Sequence, residues 1–175
     1  ANSYCSRLCC MHAMKQAHVI REKTGAQIYE LYIDIRASGK GYEEFYERVQ
    51  REGVLFIRGR GAEVVMQGRQ LVVKAEDTGL GRPITLPVDL VILTTGVTPR
   101  HDSEVVARIF GITCDRHGFF MESHPKMRPF HSNTDGIFLA GTCQAPRDIP
   151  DTVAHANAAA AEALSLLARG KIAIE

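Results

Sequence analysis

Gln27–Ile57 reads QIYELYIDIRASGKGYEEFYERVQREGVLFI, and the order of patterns within it decides the fold. Gln27 to Ile35 carries the apolar residues Ile28, Leu31, Ile33 and Ile35 and predicts a strand. Gly39-Lys40-Gly41 breaks that pattern. Tyr42 to Glu52 is a charged helix with Phe45, Tyr46 and Val49 on its inner side, and Gly53 stops it. Val54-Leu55-Phe56-Ile57 then predicts a short buried strand. Upstream, Leu8 to Lys23 has Met11, Met14 and Ala17-His18 near helical spacing, with Gly25 just past its end. Helix, strand, helix, strand calls for crossover connections, and crossovers imply a parallel sheet.

The chain beyond Ile57 changes character. Ala62 to Met66 and Gln70 to Ala75 are strand-like runs about Gly68, a hairpin pattern. Gly79 to Pro83 reads as a turn. Asp89 to Leu93 is an apolar strand that runs into Thr94-Thr95-Gly96-Val97-Thr98-Pro99. Ser103 to Phe110 is a helix with Asp102 or Ser103 as its cap. His117–Met121 and Gly136–Ala140 are further strands, and Asp151 to Arg169 is a long alanine-rich helix. The expectation is an α/β, three-layer arrangement: a parallel sheet, an antiparallel β element and a long C-terminal helix.

Composition narrows the class of function. Of 175 residues, 45% are apolar and 23% charged, ordinary values for a globular protein. A net charge of +1 leaves no electrostatic footprint for nucleic acid or an anionic membrane. No apolar run reaches the length of a membrane span, and no secretory signal pattern opens the chain. Ala1-Asn2-Ser3 reads as a boundary within a longer sequence, not as a natural start.

The opening stretch, YCSRLCCMHAMKQA, holds three of the five cysteines: Cys5, Cys9 and Cys10. Three soft thiolates in one small volume suit an iron–sulfur cluster or a zinc ion. Arg7 would favour the thiolate form. A fourth ligand would come from an upstream cysteine, His12 or Cys143. Cysteine also packs as a small apolar residue, and on spacing alone ligation and packing stand level. An odd count and the adjacency of Cys9 and Cys10 argue against a disulfide framework, and clustered thiols fit a reducing, cytoplasmic setting.

Two segments carry a resemblance. DLVILTTGVTP (residues 89–99), followed by DGIFLAG (135–141) and an alanine-rich helix, resembles the closing signature of flavoproteins with two dinucleotide-binding domains. Among these, thioredoxin-reductase-like and glutamate-synthase-small-subunit-like proteins are similar. The cysteine-bearing opening, YIDIRASGKGYEEFYERVQREGVLFIRGR and GTCQAPRDIPDTVAHANAAAA together resemble the A subunit of heterodisulfide reductases. The resemblance implies a partial Rossmann-like fold, with residues 1–95 from a second nucleotide-binding-like domain and 96–175 from the C-terminal part of the FAD domain. No G-x-G-x-x-G occurs; Gly59-Arg60-Gly61 lacks a third glycine and opens no helix.

The same resemblance implies FAD and a 4Fe–4S cluster in the complete protein, with Cys5, Cys9 and Cys10 as ligands and a fourth cysteine upstream. Other iron–sulfur subunits of a heterodisulfide-reductase-like complex would be partners, with a homodimer as a further arrangement. The flavin would meet Gly96, Val97, Thr98 and Pro99, then Gly141, Thr142, Asp148, Ile149, Asp151, Thr152, Val153 and Ala156. A helix starting at Asp151-Thr152 offers N–H donors and the positive end of its dipole to a reduced flavin. Ala154, Ala156 and Ala158 to Ala160 would allow close approach. The family's usual Gly-Asp is Gly141-Thr142 here, and a hydroxyl is the weaker partner. Lys15, on the cysteine-bearing helix, is the catalytic candidate as a cation near flavin N5; its ordinary reading is a solvated surface lysine. Cys143 lacks a C-x-x-C partner, and Arg36 reads as a strand-end salt bridge. An NAD(P)H-dependent flavin oxidoreductase and a zinc-stabilised interaction module are the competing readings.

Overall fold

The computed structural model describes residues 2–168 and 170. They form α1 (Cys9–Thr24), β1 (Tyr29–Tyr32), α2 (Tyr42–Arg51), β2 (Leu55–Arg58), β3 (Gly61–Gln67), β4 (Gln70–Asp77), β5 (Arg82–Val88), α3 (Ser103–Phe110) and α4 (Ile149–Leu167). The expected α/β architecture is present, with a parallel sheet, an antiparallel sheet and a C-terminal helix. Arg169, the expected last helical residue, and residues 171–175 lie outside the described residues. The chain divides into two compact units: residues 9–95, and residues up to 8 together with those from 96 onward.

In the first unit β1 and β2 pair in parallel, from Tyr29 opposite Leu55 to Tyr32 opposite Arg58. The connection between them is α2. Acidic Glu43 and Glu44 in its first turn and basic Arg48 and Arg51 in its last match the helix dipole. Ala17, Val49 and Val54 form the core, with Ile28, Phe45 and Phe56 packed against it. Gly25 ends α1 at φ +67, returning its N–H to the Arg21 carbonyl.

Three strand expectations in this unit are corrected. The first strand is Tyr29–Tyr32, not Gln27–Ile35, and Ile33 is 63% exposed. The second is shifted one residue and is not fully buried, since Leu55 is exposed. A two-stranded sheet offers too little cover to bury both faces. Asp89–Leu93 is not a strand: Leu90, Ile92 and Leu93 are exposed, and among the described residues no strand pairs with them.

The hairpin forms as expected, β3 against β4, with Gly68 at φ +63. Sequence patterning missed β5, which pairs antiparallel with β4 along its whole length. Its Pro83 and Pro87 disguise it. Being four apart, both prolines turn their donor-less nitrogens the same way, to the side where β5 has no neighbour. Central β4 supplies buried Val72, Val73 and Ala75.

The second unit packs Ala107, Ile112 and Leu139 with Cys114, Phe120, Ile137 and Cys143. The expected strands His117–Met121 and Gly136–Ala140 are reduced to single bridges, Cys114 to Phe120 and His131 to Phe138. Gly118 and Gly136 both have positive φ, which extended strands do not tolerate. Asp102 stands at the N-cap of α3 without a side-chain cap bond, because Arg100 takes its carboxylate at 2.9 and 2.7 Å.

Candidate cofactor site

Gly96 opens the first segment expected to meet a cofactor. A Cβ there would stand 2.5 Å from Ser6 Oγ and force that side chain to move. The same hydroxyl accepts the Val97 N–H at 2.8 Å, and the Tyr4 hydroxyl donates to the Val97 carbonyl at 2.8 Å. Tyr4 is held in turn by edge contacts to His117 and Phe119. Both backbone groups of Val97 are therefore engaged by the N-terminal segment. Thr98 is exposed, and Pro99 lies under Gly118, where a Cβ would meet Pro99 Cγ at 3.1 Å.

The second segment is a 3-10 turn, Gly141–Cys143, leading to α4. Gly141 is buried at φ +72, and a Cβ on it would press on Thr152 Cγ2 at 3.0 Å. Thr142 is exposed. The α4 helix begins two residues before the expected Asp151, with Pro150 in its first turn, where proline is favoured. Asp148 is the N-cap. Its Oδ1 accepts the Asp151 N–H at 2.9 Å and its carbonyl accepts the Thr152 N–H at 2.9 Å. The Asp151 and Thr152 amides thus already have acceptors within the helix. Ile149 is 80% exposed, Val153 is exposed and Ala156 half-buried, so the first turns of α4 present an uncovered apolar edge.

Sequence reasoning missed the polar groups behind this turn. His155 is 7% exposed, and its Nδ1 accepts the Gly141 N–H at 2.9 Å. Arg147 donates to Gln144 Oε1, and Gln144 Nε2 donates to the Pro129 carbonyl at 3.2 Å. Arg147 Nε is buried without a partner. Burial, then the nearby charge of Arg7, lowers the Arg147 pKa. The available signal was the spacing of Gly141 and His155 around a proline-bounded loop, which no standard motif describes.

The cysteines fall in both units. Cys5 is exposed, its sulfur accepting the Arg7 N–H at 3.2 Å, and Arg7 adopts φ +61, rare for a non-glycine residue. Cys9 and Cys10 open α1, half-buried, with Cys10 Sγ 3.8 Å from the Asp34 carbonyl. Among the described residues no disulfide forms and no three His, Cys, Asp or Glu side chains are gathered as a metal site. Lys15 is exposed on α1. Burial raises the thiol pKa of Cys143 and Cys114, which suits packing rather than reactivity.

Two further features lie in the first unit. A cavity of about 690 Å³ sits beyond the carboxyl ends of β1 and β2, lined by Ile33, Arg58, Gly59, Arg60, Gly61, Ala62, Glu76 and Thr78. Open α/β sheets bind ligands at this end of their strands. Glu30, on β1, has a buried Oε2 without a partner, and burial pushes its carboxyl up to about 7.

The backbone resembles thioredoxin reductase from T. acidophilum, with a TM-score of 0.59 at 16% identity over 89% of this chain and 48% of that one; the likeness is one of fold. Residues 29–163 match the model of the pyridine nucleotide-disulphide oxidoreductase family, and the chain belongs to that family. More particularly, it is 52% identical over 99% of its length to the second iron-sulfur A subunit of CoB–CoM heterodisulfide reductase from Methanopyrus kandleri. It is 46% identical over 98% to the A subunit of H(2):CoB-CoM heterodisulfide,ferredoxin reductase from Methanothermobacter marburgensis. The chain spans 27% of the length of each of these relatives. Among the described residues no helix is long and apolar enough to cross a membrane.

Proposed function

We propose that this chain is part of a flavin and iron–sulfur electron-transfer subunit of a heterodisulfide-reductase-type complex. The complete protein would pass electrons between FAD and 4Fe–4S clusters in the cytoplasm, alongside other iron–sulfur subunits and with a homodimer as a further arrangement. The observation that carries this reading is the 52% identity to an iron–sulfur A subunit, over a similarity that spans both the cysteine-bearing opening and the PRDIPDTV stretch.

The residues fit such cofactors chemically. Three cysteines are the soft donor set a cluster takes, with the fourth ligand supplied from outside these three. Gly141 forms a close cradle against Thr152, and exposed Ile149 and Val153 offer apolar cover for a ring. Gly96, Val97, Thr98 and Pro99 would approach it from the opposite segment, with Thr142, Asp148, Asp151 and Thr152 at the polar edge and Ala156 on the apolar one. FAD, when bound, accepts electrons in pairs and releases them singly. The chain's part is to hold it, exclude water and set its charge environment, with Lys15 as the proposed cation toward the reduced ring.

A specific observation favours a second reading. The cavity beyond β1 and β2 carries Arg58 and Arg60, and the family description names pyridine nucleotides. An NAD(P)H-dependent flavin oxidoreductase would use that cavity for a nucleotide.

The test is metal, acid-labile sulfide and flavin content of the full-length protein purified without oxygen. Iron and sulfide together with FAD, and slow flavin reduction by NAD(P)H, are expected. Rapid reduction by NAD(P)H with no iron would favour the second reading. Zinc without sulfide would leave a zinc-stabilised module.

A further inference from the structure

His155 is almost wholly buried, yet it is polar, and the bond it makes is long in sequence and specific in sense. Its Nδ1 accepts the N–H of Gly141 at 2.9 Å. An accepting Nδ1 carries no proton, so the neutral ring holds its proton on Nε2. Nε2 is buried and makes no hydrogen bond of normal geometry, although the Pro129 carbonyl is near enough to bear on the ring's charge. The ring also stands edge-on to Phe130 with centroids 5.0 Å apart, which fixes its plane.

The other end of this bond is equally constrained. Gly141 is buried at φ +72, and a Cβ on it would press on Thr152 Cγ2 at 3.0 Å. Its N–H, at the start of the 3-10 turn, would have no acceptor if His155 turned away or took a second proton. The turn is also anchored through Cys143, whose carbonyl accepts the Phe120 N–H at 2.9 Å and whose thiol donates to the Ala140 carbonyl.

We propose that His155 is a positioning residue: as the neutral Nε2–H tautomer it latches the Gly141–Cys143 turn to α4, and protonation of Nδ1 opens the latch. The groups facing the ring oppose one another, and the net effect favours the neutral ring. Burial, and then the neighbouring Arg147, hold it below the usual histidine range, while Glu122 and the Pro129 carbonyl pull the other way. A histidine with a lowered folded pKa stabilises the fold above its unfolded value of 6.5, and that contribution is lost as pH falls below it. The consequence for flavin rests on the function proposed above: opening the latch would loosen one wall of the flavin site.

The experiment uses full-length protein and two variants, His155→Asn and His155→Phe. Asparagine can place its Oδ1 near the Nδ1 position and accept from Gly141 but cannot be protonated there; phenylalanine fills the space without an acceptor. Hydrogen exchange of the peptide spanning Gly141, corrected for intrinsic rates, reads the latch directly. Flavin fluorescence on release, from pH 8 to pH 5, reads its consequence. At pH 8 the wild type and His155→Asn should agree, and His155→Phe should exchange and release flavin roughly tenfold faster. Below pH 6.5 the wild type should approach His155→Phe, while His155→Asn stays unchanged. Unaltered exchange at Gly141 in His155→Phe would overturn the latch. Altered exchange with unaltered flavin release would overturn its positioning role. A wild type that carries no flavin would defeat the proposed function instead, and exchange alone would then decide the latch.

Discussion

Arg7 and Asp151 form an ion pair at 3.0 Å, joining the segment that carries Cys5 to the first turn of α4. Neither side chain is buried, at 46% and 49% exposure, and solvent screens the pair. Arg7→Ala is therefore expected to cost less than about 1 kcal/mol of stability, with the loss shrinking at high salt. Urea unfolding at two ionic strengths measures this. A loss of several kcal/mol would mean that Arg7, held at φ +61, does more for the fold than its ion pair explains.

Gly59 is the reverse case, a backbone contact with no room for change. It is buried just after β2, and a Cβ there would overlap the Glu76 carbonyl oxygen. A main-chain atom in a paired strand cannot move aside cheaply. Gly59→Ala should destabilise by about 3 kcal/mol or more, the scale of overpacking in a core. Gly68→Ala, in open space at φ +63, should cost only about 1–2 kcal/mol through backbone strain. Thermal unfolding of the two variants side by side tests the ranking.

The elements legible in the sequence were those whose own side chains specify them. Helices α1 and α2 and the β3–β4 hairpin announced themselves through periodicity and glycine stops, and α3 was located residue for residue. Illegible were features decided by neighbours. Asp89–Leu93 has a strand's composition but no strand beside it, whereas β5, with two prolines, is a strand because β4 pairs with it. The site divides the same way. Gly96 and Gly141 could be read from motifs, but the bond from Gly141 to His155 and the burial of Arg147 depend on tertiary packing that local patterning does not report.

Glu30 predicts a pH dependence in the first unit. Its carboxyl is raised from 4.5 to about 7 by burial, and Tyr46, itself raised by burial first, is raised further by Tyr32, Glu43 and Glu30. The folded state therefore prefers the protonated acid. A raised folded pKa means that the contribution is fully present below 4.5 and is lost as pH rises through about 7. Glu30→Gln, which keeps the shape and removes the charge, should be more stable than the wild type at pH 8 and nearly equal to it at pH 4. Denaturant midpoints across that range check the sign; a variant less stable at pH 8 would mean that the carboxylate has a partner in the folded protein.

The cysteines provide the sharpest division between ligand and packing roles. In full-length protein handled without oxygen, Cys5→Ala, Cys9→Ala and Cys10→Ala should each remove most of the iron, because three remaining ligands hold a cluster poorly. Cys114→Ala and Cys143→Ala should leave iron nearly unchanged. Both pack against the core of Ala107, Ile112 and Leu139, and burial keeps both thiols protonated. Their cost should instead be structural, on the order of 1 kcal/mol for a half-buried small side chain. Iron per flavin across the five variants, with unfolding midpoints beside it, separates the two roles. Loss of iron in Cys143→Ala with iron retained in Cys9→Ala would move the ligand set from the head of α1 to the turn before α4.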